Sequence, residues 1–314
     1  MTSRTADAGR PGVHSIDHFA LEVPDLGTAK KFYDAFGLRT KSDQAGFDLY
    51  ASGSDHRWGR VLPGKHKRLA YLAFNCYPND LESIRGQVKA SGAAAAAPHP
   101  EGGAEGIWCR DPDGNLIQVR AGPKTSPDAK TPPVDLHGAP GERGVMGRSE
   151  YGKVHPQRLS HVLMFSPDVK RAIGFYVNAL GLRLSDTSRD IIAFFHGKHG
   201  SDHHLIAFAK GGAKGWHHSS WIVPGLEDVG RGAAQMAEAG YRNGWGTGRH
   251  VLGSNYFYYV QDPWGSFAEY SSDIDYIPAG HQWSGRDWPP EDSLYLWGPD
   301  VPEIFLTNTE ERLA

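Results

Sequence analysis

Gly248-Arg-His-Val-Leu-Gly-Ser-Asn-Tyr-Phe-Tyr-Tyr-Val-Gln-Asp-Pro-Trp-Gly-Ser-Phe-Ala-Glu-Tyr270 reads as a strand, a tight turn and a second strand. Residues 256–260 are aromatic and β-favouring. Asp262-Pro263-Trp264-Gly265 is turn chemistry, with proline pre-set for the second turn position and glycine free to take φ > 0. Phe267-Ala268-Glu269-Tyr270 then alternates as a half-buried strand does. Glu269, flanked by aromatics, needs a cation or a proton as partner, because an unpaired buried carboxylate is costly. Tyr259 shares its face only if the turn over 262–266 holds an odd number of residues, as a type I turn closed by a bulge at Gly265 does. An even-length turn would bring Tyr258 inward instead.

The hairpin has a precedent in the chain. Asp111-Pro112-Asp113-Gly114-Asn115-Leu116-Ile117-Gln118-Val119 answers residues 262–270, and Phe32-Tyr33-Asp34-Ala35-Phe36-Gly37-Leu38 answers Phe175-Tyr176-Val177-Asn178-Ala179-Leu180-Gly181-Leu182. The first half reads as a strand over 16–23, a helix over 27–36 capped by Asp25 and Gly37, strands over 47–51 and 69–76, a helix over 81–90, a loop over 91–103 and a hairpin over 106–120. The second half opens the same programme with a strand over 159–165 and a helix over 169–180. Self-similarity at half the chain length predicts an α+β fold of two similar domains. The expected layout is a disordered N-terminus over 1–12, a first domain over 13–122, a linker over 123–155, a second domain over 156–275 and a tail over 276–314. Trp283, Trp288 and Trp297 should hold that tail against the second domain.

Composition narrows the function. Lys+Arg 33 against Asp+Glu 36 gives a net charge of −3 with no basic stripe, which argues against nucleic acid. Apolar runs fall short of the roughly 20 residues of a membrane span. Two cysteines make no disulfide framework, and with no apolar N-terminal segment the expectation is a cytoplasmic protein.

The halves differ in chemistry. His18 stands where His161 stands, but Gln118 replaces Glu269, and residues 69–74 carry no histidine to match Trp216-His217-His218-Ser219-Ser220-Trp221. His161, one of His217 or His218, and Glu269 give two imidazoles and one carboxylate, a set that suits non-haem Fe(II) with open coordination positions. Histidines on strands are more often simple packing residues; the repeat comparison sets these apart. The second domain therefore carries a full ligand set and the first is metal-free.

Over residues 13–275 the sequence resembles the type I extradiol ring-cleaving (catechol 2,3-) dioxygenases of the vicinal oxygen chelate superfamily. Their signature is matched by Gly248, His250, Tyr259, Asp262-Pro263, Gly265 and Glu269, with one departure at Tyr258, where an aliphatic residue or Phe is usual. The resemblance implies two domains of paired βαβββ modules. It implies His161, His218 and Glu269 as metal ligands, with His217 pointing to the opposite face. His204 of His204-Leu205-Ile206-Ala207 would be the acid/base, titrating near neutrality, with His203 the weaker candidate. His250 and Tyr259 would bond the substrate or bound oxygen. The implied cofactor is Fe(II), alternatively Mn(II), with O2 as co-substrate, and the implied partner is a catechol or trihydroxybenzene cleaved beside its hydroxyls in aromatic-compound degradation. Such enzymes are commonly homo-oligomers.

Spacing places no cation to hold a substrate carboxylate. Phe194, Phe195, Trp245 and Phe257 predict aromatic pocket walls and a neutral or lightly substituted ring. Two other readings compete. A glyoxalase- or epimerase-like reaction of the same superfamily usually wants a fourth protein ligand, and a non-catalytic aromatic-ligand-binding protein has no reason to keep three.

Overall fold

The computed structural model describes residues 10–311. The first half forms a seven-stranded sheet in the order Arg39–Ser42, Phe47–Tyr50, Arg57–Pro63, Ser15–Val23, Arg68–Cys76, Leu116–Ala121, Ile107–Arg110. The second forms a nine-stranded sheet: Tyr295–Trp297, Gly244–His250, Tyr256–Gln261, Phe267–Ser272, Gly215–Ile222, Arg158–Ser166, Ile206–Lys210, Ile192–His196, Arg183–Ser188. Both sheets have the same centre. Ser15–Val23 pairs antiparallel with Arg68–Cys76, as Arg158–Ser166 does with Gly215–Ile222. Leu116–Ala121 and Phe267–Ser272 then lie parallel beside the second strand of each pair. Even a bulge is repeated, at Asp17 before His18 and at Ser160 before His161.

Local chemistry sets the helix ends. Asp25 accepts from the Thr28 amide at 2.6 Å to start Leu26–Phe36, and Gly37 ends it at φ 94°. Asp168 caps Val169–Asn178 in the same way through the Arg171 amide.

The halves share one apolar core. The Phe19 ring lies 5.0 Å from Trp216 and 6.2 Å from Trp221. Phe36 stacks on Tyr270 at 4.0 Å, and the Tyr270 hydroxyl donates to the Phe36 carbonyl at 2.8 Å. One face of the second sheet is thereby used up in the core. The other is left for chemistry.

Several expectations change. Of the expected disordered N-terminus, residues 1–9 lie outside the described residues. Residues 10–12 are docked: Arg10 donates to Asn178, Gln87 donates to the Pro11 carbonyl, and an added Cβ on Gly12 would meet the Gly181 carbonyl oxygen at 2.5 Å. The Arg57–Pro63 strand is missing from the sequence reading because Arg-Trp-Gly-Arg-Val-Leu-Pro lacks alternation. Its Gly59 is required by packing, since a Cβ there would press on Leu49 and Phe19 at 2.9–3.0 Å. The short Arg39–Ser42 strand and the helix Leu226–Glu238 were also not read from sequence. The segment over 123–155 runs largely exposed over the surface, and the tail returns to the second sheet. Trp283 and Trp288 anchor it through their indoles, whereas Trp297 keeps 44% exposure.

Phe19→Ala removes a ring that both sheets pack on. We expect it to lower unfolding free energy by about 3–5 kcal/mol, read from the midpoint of a urea titration against the parent protein.

Candidate metal centre

Strand register places the candidate side chains in two rows on the face turned away from the shared core. Tyr259 pairs with Glu269, Glu269 with Ser220, and Ser220 with His161. One step along, Phe267 pairs with His218, His218 with Leu163, Leu163 with Ala207, and Ala207 with Phe194. The turn brings Tyr259 onto this face. Gln261 pairs with Phe267, leaving residues 262–266, an odd number; Asp262 Oδ1 accepts from the Trp264 and Ser266 amides, and Gly265 adopts φ 94°. Tyr258 instead pairs with Tyr270 on the core side.

His217 does not point to the opposite face. The ladder jumps from Trp216 to His218 at a bulge, so His217 and His218 both lie on the site side. The His217 ring packs among Phe165, Phe267 and Phe305. Its Nε2 donates to the Phe305 carbonyl at 2.7 Å, because a carbonyl can only accept. Burial pushes His217 down to about 4, so its Nδ1 is a lone pair. That lone pair faces His218 Nδ1 at 2.6 Å, and His218 must be the donor. Burial first, then the neighbouring imidazoles, push His218 well below the ordinary histidine value. Its Nε2 is therefore an unprotonated lone pair.

The same reasoning fixes His161. Arg158 grips the Asp202 carboxylate with both terminal nitrogens, at 2.6 and 3.0 Å. Ser160 donates its hydroxyl to Asp202 at 2.7 Å, which leaves Oγ to accept from His161 Nδ1 at 3.2 Å. In neutral His161, Nε2 is then the lone pair, 3.3 Å from Glu269 Oε2; His218 Nε2 lies 3.6 Å from the same oxygen. Glu269 Oε1 accepts from Asn255 Nδ2 at 3.0 Å. Glu269 Oε2 and His218 Nε2 are buried without a hydrogen-bond partner. With the imidazoles neutral, three acceptors converge with their protons directed outward, and a cation between them satisfies the set. Among the described residues, His161, His218 and Glu269 are the one group of three or more His, Cys, Asp or Glu whose ligand atoms lie within 4.8 Å of one another. They fit a divalent metal with open positions.

The other candidates surround this point. The His204 ring packs against His161 with centroids 3.9 Å apart and planes tilted by 47°; its Nδ1 meets His203 Nδ1 at 3.0 Å. His203 faces away, onto Asp186. His204 does not titrate near neutrality: burial, then His161 and the other imidazoles, hold it well below the ordinary value. On the opposite side, His250 Nδ1 donates to the Leu294 carbonyl at 2.7 Å and its Nε2 meets the Tyr259 hydroxyl at 2.8 Å. Burial, then the Glu269 charge, raises Tyr259 well above its ordinary value, so the phenol is neutral and donates to His250.

The walls also differ from expectation. Phe194 lies on the site face, with Leu163, Ala207 and Leu252. Phe195 lies on the other, against Tyr176 and Phe208. Trp245 and Phe257 pack behind Tyr259 and His250 with Phe305. Sequence reading also missed Asn255, Ser160, Asp202 and the carbonyls of Leu294 and Phe305. Of these, the adjacent pairs Ser160-His161 and His217-His218 carried a local signal; the carbonyls carried none.

The first half shows what the same framework does without the ligand set. Register puts Tyr71 at the position of His218, Gln118 at that of Glu269 and Trp108 at that of Tyr259. His18 Nε2 meets the Tyr71 hydroxyl at 2.8 Å and the Arg57 guanidinium at 3.2 Å, while Gln118 Nε2 donates to the Gly102 and Glu105 carbonyls.

This duplicated α+β framework, with one site per pair of sheets, defines a superfamily. Residues 15–119 and 158–270 match the Glyoxalase/Bleomycin resistance protein/Dioxygenase superfamily, and the chain belongs to it. It is 58% identical over 309 residues to Metapyrocatechase 2 of Cupriavidus necator, covering 97% of this chain and 96% of that protein. It is 24% identical to the Iron-dependent extradiol dioxygenase of Rhodococcus jostii, covering 92% and 97%. In structure it is similar to the Mn(II)-bound glyoxalase from Novosphingobium aromaticivorans, with a TM-score of 0.74, 26% identity and 94% of each chain covered.

Glu269→Gln removes the carboxylate and leaves the packing. We expect Fe(II) or Mn(II) retained through gel filtration to fall to background by elemental analysis. Asn255→Ala should weaken metal affinity about 10–100-fold in competition with a chelator.

Proposed function

We propose that this protein is an extradiol dioxygenase that cleaves the ring of a catechol-type substrate beside its vicinal hydroxyls and inserts both atoms of O2. The observation that carries the reading is the convergence of three lone pairs beside a Tyr259–His250 pair that is set to take a proton. The 58% identity to Metapyrocatechase 2 supports it. His161, His218 and Glu269 would hold Fe(II) or Mn(II); relatives and neighbours include an iron-dependent enzyme and a Mn(II)-bound one. When bound, the metal supplies Lewis acidity toward both catechol oxygens and redox capacity toward O2.

The protein's own groups do the rest. A catechol hydroxyl donates to the Tyr259 oxygen as the Tyr259 proton passes to His250 Nε2. The resulting imidazolium keeps its Nδ1 bond to the Leu294 carbonyl. His204 stands on the far side of the metal ligands, its Nε2 without a hydrogen-bond partner among the described residues, to accept and return a proton during oxygen insertion. Leu163, Phe194, Ala207 and Leu252 make that side apolar. Arg249 is tied to Asp273 and Tyr256 rather than offered to a substrate carboxylate, which favours a neutral ring such as an alkylcatechol. The protein would act as a homo-oligomer in the cytoplasm, where the free, buried Cys76 and Cys109 suit a reducing compartment. No helix among the described residues is long and apolar enough to cross a membrane. Glyoxalase and epimerase chemistry usually needs a fourth protein ligand, and the converging group has three.

Protein loaded anaerobically with Fe(II) and given catechol should turn yellow on admitting air, consuming one O2 per catechol at an oxygen electrode. Colourless turnover, or O2 uptake with release of peroxide, would defeat the reading. Tyr259→Phe keeps the ring and loses the proton path, and kcat should fall about 10²-fold in the same assay.

A further inference from the structure

Behind His204, on the side away from the metal ligands, lies a buried polar chain that the reaction above does not use. Asp186 is 5% exposed and His203 fully buried. The Asp186 carboxylate takes four donors. Oδ1 accepts from the Arg286 amide at 3.0 Å and from the Trp288 indole at 2.8 Å. Oδ2 accepts from the Trp283 indole at 3.0 Å and from His203 Nε2 at 2.8 Å. Burial alone would raise this carboxyl; the donors hold it below its ordinary value instead. Ser185 fixes His203 from the backbone side by donating to its carbonyl.

A carboxylate with four donors can only accept, so His203 carries a proton on Nε2. In neutral His203, Nδ1 is then a lone pair, and it faces His204 Nδ1 at 3.0 Å. The consequence falls on His204. We propose that Asp186 and His203 are positioning residues that direct the His204 proton onto Nδ1 and leave its Nε2 lone pair facing the site. The logic is that of a carboxylate fixing an imidazole tautomer in a catalytic triad, extended by one further ring. The tail is part of the device, because Trp283 and Trp288 hold the carboxylate that starts the chain. The inference rests on the ring-cleavage reading.

Asp186→Asn tests it. An amide must present its NH2 on one side. The Oδ2 side meets one fixed donor, Trp283, and a ring that can change tautomer; the Oδ1 side meets two fixed donors. The NH2 therefore goes to His203 Nε2, His203 carries its proton on Nδ1, and His204 is forced to carry its own on Nε2. We expect kcat for catechol to drop about 10²-fold with KM and bound metal unchanged, since no ligand is touched.

A pair of His203 variants separates tautomer control from scaffolding. His203→Asn can place its carbonyl near the lost Nδ1 and still accept from His204, while breaking with Asp186. His203→Gln can reach Asp186 but leaves His204 without its acceptor. Tautomer control ranks His203→Asn above His203→Gln in kcat by about 10-fold; a merely structural pair ranks them the other way. The reverse ranking, an Asp186→Asn enzyme within about threefold of the parent, or failure of all three variants to fold would overturn the proposal. A parent protein that cleaves no catechol defeats the underlying reading instead, and the two failures are distinguishable in one assay.

Discussion

Glu269 Oε2 sits, fully buried, where two imidazole lone pairs also point. Left alone, three acceptors within a few ångströms repel one another and lose their solvation, a cost of several kcal/mol. The surrounding architecture maintains that conflict. The imidazole protons are drawn outward, by Asp202 through Ser160 from His161 and by the Phe305 carbonyl through His217 from His218, while Asn255 satisfies the other Glu269 oxygen. A divalent cation turns the conflict into binding energy. The shell behind the ligands is therefore as much a part of the site as the ligands.

The C-terminal segment belongs to that shell. Its Leu294 and Phe305 carbonyls set the tautomers of His250 and His217, its Pro299 carbonyl takes the Trp245 indole, and the Phe305 ring closes the aromatic wall behind Tyr259. A backbone carbonyl is well suited to this. It cannot donate, does not change charge with pH, and is held in place by the packing of its whole segment. The tail's fold and the site's protonation pattern are one arrangement.

Much of this was legible in residues. The turn over 262–266 set the pairing of Tyr259 with Glu269, because proline, glycine and an acceptor side chain at Asp262 leave a short loop few conformations. The duplication exposed the chemistry, since Gln118 and Glu269 occupy the same ladder position in two sheets. At first-half sites the cation is built in. Arg57 and Asp17 lie against His18, Tyr71 bonds its Nε2, and the Gln118 amide donates to backbone carbonyls. What stayed illegible was long-range. Asp186 meets Trp283 and Trp288 about a hundred positions away, and no local pattern announces a carbonyl as acceptor.

His217 shows why strict alternation misleads at such a site. With period two, adjacent histidines would divide between the faces, and His217 would enter the apolar core in the place Trp216 holds against Phe19. There it would need a polar partner that the core does not supply. The bulge moves it to the site face, where one ring brackets the metal position and the next braces it against Phe305. A bulge leaves one residue unpaired in the ladder. That local loss is offset by a fixed tautomer at a ligand, something a regular strand at this position could not provide from its own sequence.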